Sequence, residues 1–198
     1  MKKVILGALV ALSSLAFTNN STEFKVDAGK SKLVWVGRKV VGEHTGNINI
    51  KEGKLITEGR SITGGTFTID MQSITDNDLA DKGYNEKLVG HLKSKDFFDS
   101  ESSPNSLFVI TRITPAKEKD QFNVKGNLTI KGITQPVEFP AIVQITGNQI
   151  KATAKIKVDR TKYGIRYGSG SFFDNLGDKA IDNEFELNVT LLALKELI

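Results

Sequence analysis

The chain has 198 residues, 39% hydrophobic and 25% charged, with a formal net charge of +4 and no cysteine. That balance excludes intrinsic disorder and suits one domain with a sizeable core, while the missing thiols exclude disulfide scaffolds, zinc ribbons, iron–sulfur clusters and cysteine nucleophiles. His44 and His91 are the only histidines, so a three-histidine metal site cannot form within one chain.

From the N-terminus, Met1-Lys2-Lys3 is a positive segment, Val4 to Leu12 an apolar run, and Ser14-Leu15-Ala16 sets small residues at −3 and −1 of a cleavage point. This is the anatomy of a secretory signal peptide, too short to span a bilayer as a lasting helix. The expectation is cleavage after Ala16, a mature domain over residues 17–198 with net charge +2, and a soluble periplasmic or secreted location. No cysteine stands near that point to carry a lipid anchor.

Beyond the leader, period-two alternation dominates, as in strands with one buried face. Phe24–Ala28, Leu33–Val36, Asn47–Lys51 and Thr66–Met71 read as strands, with Glu52-Gly53 as a turn. Asp81–Lys95 changes to helical spacing, with Tyr84, Leu88 and Leu92 on one face, and a helix there could cover one end of a barrel. Leu107–Ile113 is again a strand, and Ala116–Asp120 a turn. Three clean alternating runs follow: Phe122, Val124, Leu128 and Ile130; then Val137, Phe139, Ala141, Val143 and Ile145; then Ile150, Ala152, Ala154, Ile156 and Val158. Gly147-Asn148 between the last two is a hairpin signal. Pro136 and Pro140 predict a strand that begins at Pro136 and bulges or lies at an edge near Pro140. Asp159–Ala180 is rich in Gly and aromatics and too long for a hairpin turn, and ordered loops of that length usually carry function. Phe185, Leu187, Val189 and Leu191 make a closing strand. Short turns between consecutive strands favour a meander that closes on itself. The fold class predicted is therefore all-β, an antiparallel barrel of about eight strands, with a short helix near residues 81–95.

Few residues suggest chemistry. Lys151–Lys157 alternates with Ala, Thr and Ile, the wet face of a strand rather than a phosphate-tracking groove, so no nucleic acid partner is expected. Asp76-Asn77-Asp78 has Asp81 where a calcium loop needs its sharp-turn Gly and reads as solvated turn carboxylates, so no metal is expected. Gly168-Ser169-Gly170 lacks the rest of a Walker motif. His91, Asp96 and either Ser94 or Ser171 supply the residue types of a triad without a G-x-S-x-G elbow. Asp174 and Asp178 offer paired carboxylates, which nothing separates from loop solvation.

What remains is the barrel interior, which at about eight strands either fills itself or holds one apolar ligand. The inward set mixes Phe122, Phe139 and Phe185 with Ala141, Ala152 and Ala154. The small residues leave room for a ligand or for neighbouring Phe rings, and the pattern alone leaves both open.

Several segments in order from Phe24 onward carry a family resemblance. They are Leu33-Val34-Trp35-Val36-Gly37 with Gly42-Glu43-His44-Thr45-Gly46, Gly65-Thr66-Phe67, and His91-Leu92-Lys93-Ser94-Lys95-Asp96-Phe97-Phe98-Asp99. Gly126 to Thr134 with Pro136-Val137, Asp159-Arg160 through Tyr163-Gly164, and Glu184 to Leu191 complete the set. Together they resemble the YceI family of polyisoprenoid-binding proteins. The resemblance implies a lipocalin-like barrel whose elongated lumen takes up an isoprenoid or similar long-chain lipid, with no catalytic residues and no cofactor beyond that lipid. In such a lumen Phe67, Phe122, Phe139, Ala152, Ala154 and Phe185 are candidate wall residues. Trp35, Phe97, Phe98, Phe172 and Phe173 are candidate tail contacts, and His44, His91, Arg160, Tyr163 and Tyr167 could meet a polar head. The expected role is non-enzymatic lipid binding, storage or transport, with transient membrane contact; oligomeric state, a homodimer included, is left open. The alternatives are an exported hydrolase or isomerase on a lipid-like substrate, using His91 or a loop carboxylate, and an envelope protein with a filled barrel whose surface binds another protein.

Overall fold

Strands that each carry one apolar face bury it by curling around a shared interior, and the computed structural model, which describes residues 21–196, does this with nine strands. They are β1 (Ser21–Val26), β2 (Lys32–Lys39), β3 (Gly42–Glu58), β4 (Ser61–Asp70), β5 (Asn105–Pro115), β6 (Gln121–Ile130), β7 (Ile133–Thr146), β8 (Gln149–Asp159) and β9 (Ile181–Lys195). The helix α1 (Lys82–Lys93) lies between β4 and β5. All pairings are antiparallel, and the order β3-β2-β9-β8-β7-β6-β5-β4 returns to β3, closing an eight-stranded barrel to which β1 adds a further strand. The signal-peptide segment of residues 1–16 lies outside the described residues.

β1 and β2 share one lane of the wall. Both run between β3 and β9, with Phe24 opposite Leu55 and Lys195, and Leu33 opposite Ile48 and Val189. Residues 27–31 leave that lane as a turn, in which the Asp27 carboxylate accepts from the Lys30 N–H at 3.1 Å. Eight lanes are therefore filled by nine strands.

The structure corrects three details of the sequence reading and bears out the edge position expected near Pro140. Glu52-Gly53 is not a turn: β3 runs straight through it, with a bulge against β4 between Ile50 and Glu52. Glycine is needed there because a Cβ would stand 2.9 Å from the Phe67 ring. The Pro136 strand begins earlier, at Ile133, after a Lys131-Gly132 turn with positive φ at both residues (51° and 73°), the dihedrals of a two-residue type I′ hairpin. β7 pairs with β8 only from Ala141 onward, so Pro136 and Pro140 lie where β7 has β6 alone as a neighbour and a missing N–H leaves no ladder bond unmade. Finally, α1 starts at Lys82 behind Asp81, whose carboxylate accepts from the Tyr84 N–H at 2.9 Å. Tyr84 itself is exposed, and it is Leu88 and Leu92 that turn inward.

Two apolar clusters form the interior. The larger joins β1 and the barrel's main body, including Phe24, Leu55, Val124, Phe139, Ile150 and Ala193. The smaller, of Phe97, Leu128, Ile130, Val158, Tyr163 and Ile165, lies under the segment after β8. Complete burial of a side chain such as Ile150 or Val158 contributes about 1.5–3 kcal/mol. Phe67, Ile69, Ile110, Ala152, Ala154 and Ile156 face inward yet keep accessible surface, as they must where the interior is hollow.

Candidate ligand-binding lumen

Among the described residues, two adjoining chambers stand out in the hollow. The inner one has a volume of about 130 Å³ and is lined by apolar side chains apart from Thr153. Phe67, Phe108 and Phe139 lie along one side, with ring centroids 6.2 Å and 5.7 Å apart in sequence of contact. Ala141, Ala152 and Ala154 stand on the neighbouring strands β7 and β8, paired Ala141 to Ala154. Methyl side chains at these three positions leave the space that larger residues would fill.

The outer chamber is slightly larger, at about 160 Å³, and its surface is likewise almost wholly apolar, with Trp35, Phe97, Phe98, Phe185, Leu88 and Leu92 on it. Arg38, Lys39, His44, Arg160, Asp182 and Glu184 border it, but the Arg38 head turns to Glu43 and Glu186 and the Glu184 carboxylate to Lys157. Leu33, Ile69, Leu128 and Leu187 line both chambers and form a collar between them.

Segments outside the sheet shape the outer chamber. α1 contains no fully buried residue and acts as a cover, with Leu88 and Leu92 on the chamber. The stretch between β8 and β9 is tied down by Arg160, a buried guanidinium that donates to Ile165 O, Tyr167 O, Ile181 O and Asp182 O at 2.9–3.0 Å. Burial pulls its pKa below the ordinary guanidinium value, and four of its five N–H groups go to main-chain carbonyls. Its first role is thus to staple the loop to the start of β9. The third segment, Ile74–Ala80, is held against β3 by Trp35 Nε1–H donating to Thr75 O at 3.0 Å and by Thr45 N–H donating to the Asp78 carboxylate at 2.6 Å. Outside the wall, Glu186 braces β9 to its neighbours through Lys155 at 3.1 Å and Arg38, and those hydrogen bonds hold its carboxyl below the usual range.

The chambers bring together ten of the sequence-derived candidates. Trp35, His44, Phe97, Phe98, Arg160 and Phe185 line the outer one, and Phe67, Phe139, Ala152 and Ala154 the inner one. Five lie elsewhere. Phe172 and Phe173 are 46% and 51% exposed, and Phe172 packs under the Arg166 guanidinium at 4.7 Å. Tyr167 is exposed and packs edge-on against His91 at 4.4 Å. Tyr163 is sealed within the smaller cluster with its hydroxyl unpaired, and burial pushes its phenol up to about 12. Phe122, opposite Ala141 and Pro115, packs on the larger cluster without lining either chamber.

Two constellations read from the sequence look different in three dimensions. His91, Ser94 and Asp96 do not form a relay: the Ser94 hydroxyl donates to the His91 main-chain carbonyl at 2.8 Å, and the His91 ring stands 3.7 Å from Asp96. Asp76 is not a solvated turn carboxylate but is buried. It joins Asp78 and His44, each residue offering one donor atom within 4.8 Å of the others. Sequence spacing held no sign of this cluster, because His44 and Asp78 are 34 positions apart and meet at 2.8 Å only through tertiary contact.

Comparison with known proteins places this architecture. The model of the YceI-like domain matches residues 24–193. A UPF0312 protein of Photorhabdus laumondii subsp. laumondii is 35% identical over 110 residues, covering 48% of this chain and 56% of that relative. Among solved structures, BcnA of Burkholderia cenocepacia superposes with a TM-score of 0.67 at 27% identity, over 85% of this chain and 99% of its own. A polyisoprenoid binding domain from Saccharophagus degradans, implicated in plant cell wall breakdown, gives 0.64 at 12% identity over 87% and 98%.

Proposed function

The chain belongs to the YceI-like family, and from that premise we propose that it binds an isoprenoid or similar long-chain lipid in the barrel lumen and releases it chemically unchanged. The observation that carries this reading is the inner chamber: an apolar hollow whose wall is trimmed to Ala at positions 141, 152 and 154. Such a space stays dry and favours an apolar guest. Burying one five-carbon isoprene unit there is worth roughly 3–4 kcal/mol relative to water, at about 0.8 kcal/mol per carbon. A membrane shelters the same tail equally well, so transfer from bilayer to lumen is close to neutral and the role is storage or carriage rather than tight capture.

Size limits the guest. Each chamber is comparable to a cavity of about 150 Å³ that accepts one benzene-sized molecule. About two isoprene units fill both chambers as they stand, threaded past the leucine and isoleucine collar, and a longer tail needs the hollow to widen or the tail to emerge from it. Of the charged residues bordering the outer chamber, partly exposed His44 is the one we propose to meet a polar head group. Family likeness adds support, since a solved barrel of the same fold is a polyisoprenoid binding domain.

The rim supplies a route for exchange. Val40 and Val41, at the tip between β2 and β3, are 65% and 57% exposed. That tip is joined to the segment carrying Phe172 and Phe173 by the Val40 N–H donating to Ala180 O at 3.2 Å. Exposed apolar residues interleaved with Lys39, Arg166 and Lys179 suit brief contact with an anionic bilayer. Export through cleavage after Ala16 would bring the protein to such surfaces, and N-terminal sequencing of secreted or periplasmic material should begin at Phe17.

Mass spectrometry of organic extracts from natively purified protein tests the binding claim. Bound prenyl or long-chain lipid is expected in the wild type and reduced in Ala152→Phe and Ala154→Phe. Lipid-free protein, or equal lipid in the Phe variants, would sink it.

A further inference from the structure

We infer that His44, Asp76 and Asp78 form a binding site for a divalent first-row transition ion of the Zn²⁺ type at the mouth of the outer chamber. Carboxylates beside a turn are common without any ion. What sets this group apart is Asp76, only 8% exposed, whose Oδ2 is sealed from solvent and receives no hydrogen bond. An orphaned buried acceptor carries a standing desolvation cost, which a cation removes.

The remaining oxygens are arranged as metal ligands require. Asp76 Oδ1 accepts from Leu79 N–H at 2.9 Å and from the Asn85 amide at 3.0 Å, leaving Oδ2 to bind. Asp78 Oδ1 accepts from Thr45 N–H at 2.6 Å, and Asp78 Oδ2 meets His44 Nδ1 at 2.8 Å. Asp76 is thus pinned through Oδ1 and offers Oδ2, whereas Asp78, pinned through its Oδ1, and His44 must open their mutual hydrogen bond to turn Oδ2 and Nδ1 to an ion; the bonds to the other oxygens are the outer support that fixes ligand orientation at metal centres. Two carboxylates and a neutral imidazole match a charge of +2, and one nitrogen with two oxygens favours Zn²⁺ or its neighbours over Mg²⁺ and Ca²⁺, which prefer oxygen alone.

Bond lengths of about 2.1 Å set tetrahedral donors about 3.4 Å apart. The present spread of up to 4.8 Å closes by rotation of His44 and Asp78, both partly exposed.

The backbone beneath is stiff. Thr75 N–H and Asn77 N–H donate to Asn47 O and Thr45 O at 3.0 and 2.8 Å, and Gly46 lies so close that an added Cβ would stand 1.8 Å from Thr75 O. Asn85 belongs to α1, so a bound ion also clamps the cover of the outer chamber.

Titration of metal-stripped folded protein with Zn²⁺ in a calorimeter, with Co²⁺ absorption as the coordination signature, tests the assignment. One ion per chain is expected, with a thermal midpoint that rises with Zn²⁺ concentration. His44→Gln and Asp78→Asn, at partly exposed positions, should each abolish the Co²⁺ signature, and Asn85→Ala should weaken uptake about 10–100-fold. His91→Ala, which removes the other histidine, should leave both unchanged. No saturable uptake, uptake equal in Asp78→Asn, or loss in His91→Ala overturns the site in favour of a carboxyl pair that holds a proton only. Lipid content plays no part in these readouts, so the site stands or falls apart from the lumen's ligand.

Discussion

The two chambers are made by different means. The inner one is walled by strands, so alternation and register place each lining residue. The outer one borrows α1, the segment after β8 and the Ile74–Ala80 loop, and these are held by side chains reaching for backbone: Arg160 to four carbonyls, Trp35 to Thr75, Asp78 to Thr45. On the proposed reading, the sheet would set what fits, and the attached segments what enters and leaves.

Substitutions can break that division or sharpen it. The largest effect is expected at the inner wall, where Phe139→Ala removes a buried ring and should cost about 3–5 kcal/mol in urea unfolding, with faster loss of bound lipid following from the enlarged hollow. Arg160→Met leaves buried carbonyls without donors and should cost about 2–3 kcal/mol. Hydrogen exchange should then rise across residues 164–180 while β6 to β8 stay protected. Gly46→Ala drives a methyl into the Thr75 carbonyl and should cost about 2 kcal/mol, together with loss of Zn²⁺ uptake, the inner chamber keeping its lipid. Acid acts more gently. Because Glu186 has a depressed folded pKa, its contribution is complete above the ordinary carboxylate value and fades as pH falls through the folded one. Unfolding measured from pH 7 downward should show that slope, and Glu186→Gln should flatten it. The smallest change in stability, within about 0.5 kcal/mol, is expected for Phe172→Ser with Phe173→Ser, whose effect should appear instead as weaker flotation with anionic vesicles.

The same division explains what was legible in the sequence. Alternation along β6 to β9 announced the barrel and the Ala-bearing wall, because strand periodicity is local and a side chain's face follows from its position. The helix was visible for the same reason, and its inward residues Leu88 and Leu92 with it. Glu52-Gly53 misled because a glycine required by the ring of Phe67 looks, in one dimension, like a glycine required by a turn. Phe172 and Phe173 misled because aromatic residues in a long loop carry no mark of which way they face. The His44–Asp76–Asp78 group was out of reach: its members meet only when Ile74–Ala80 folds onto β3 at Gly46, a contact with no period to reveal it.

The shared lane of β1 and β2 bears on how the molecule comes to be. Its far side is β9, the final 15-residue strand, which also completes β8. A growing polypeptide thus keeps two raw sheet borders until its last strand arrives to zip the seam. Cylinder formation is a late event of high contact order and slow by that measure, and a chain clipped within β9 would remain an open ribbon, ready to pair with another like itself.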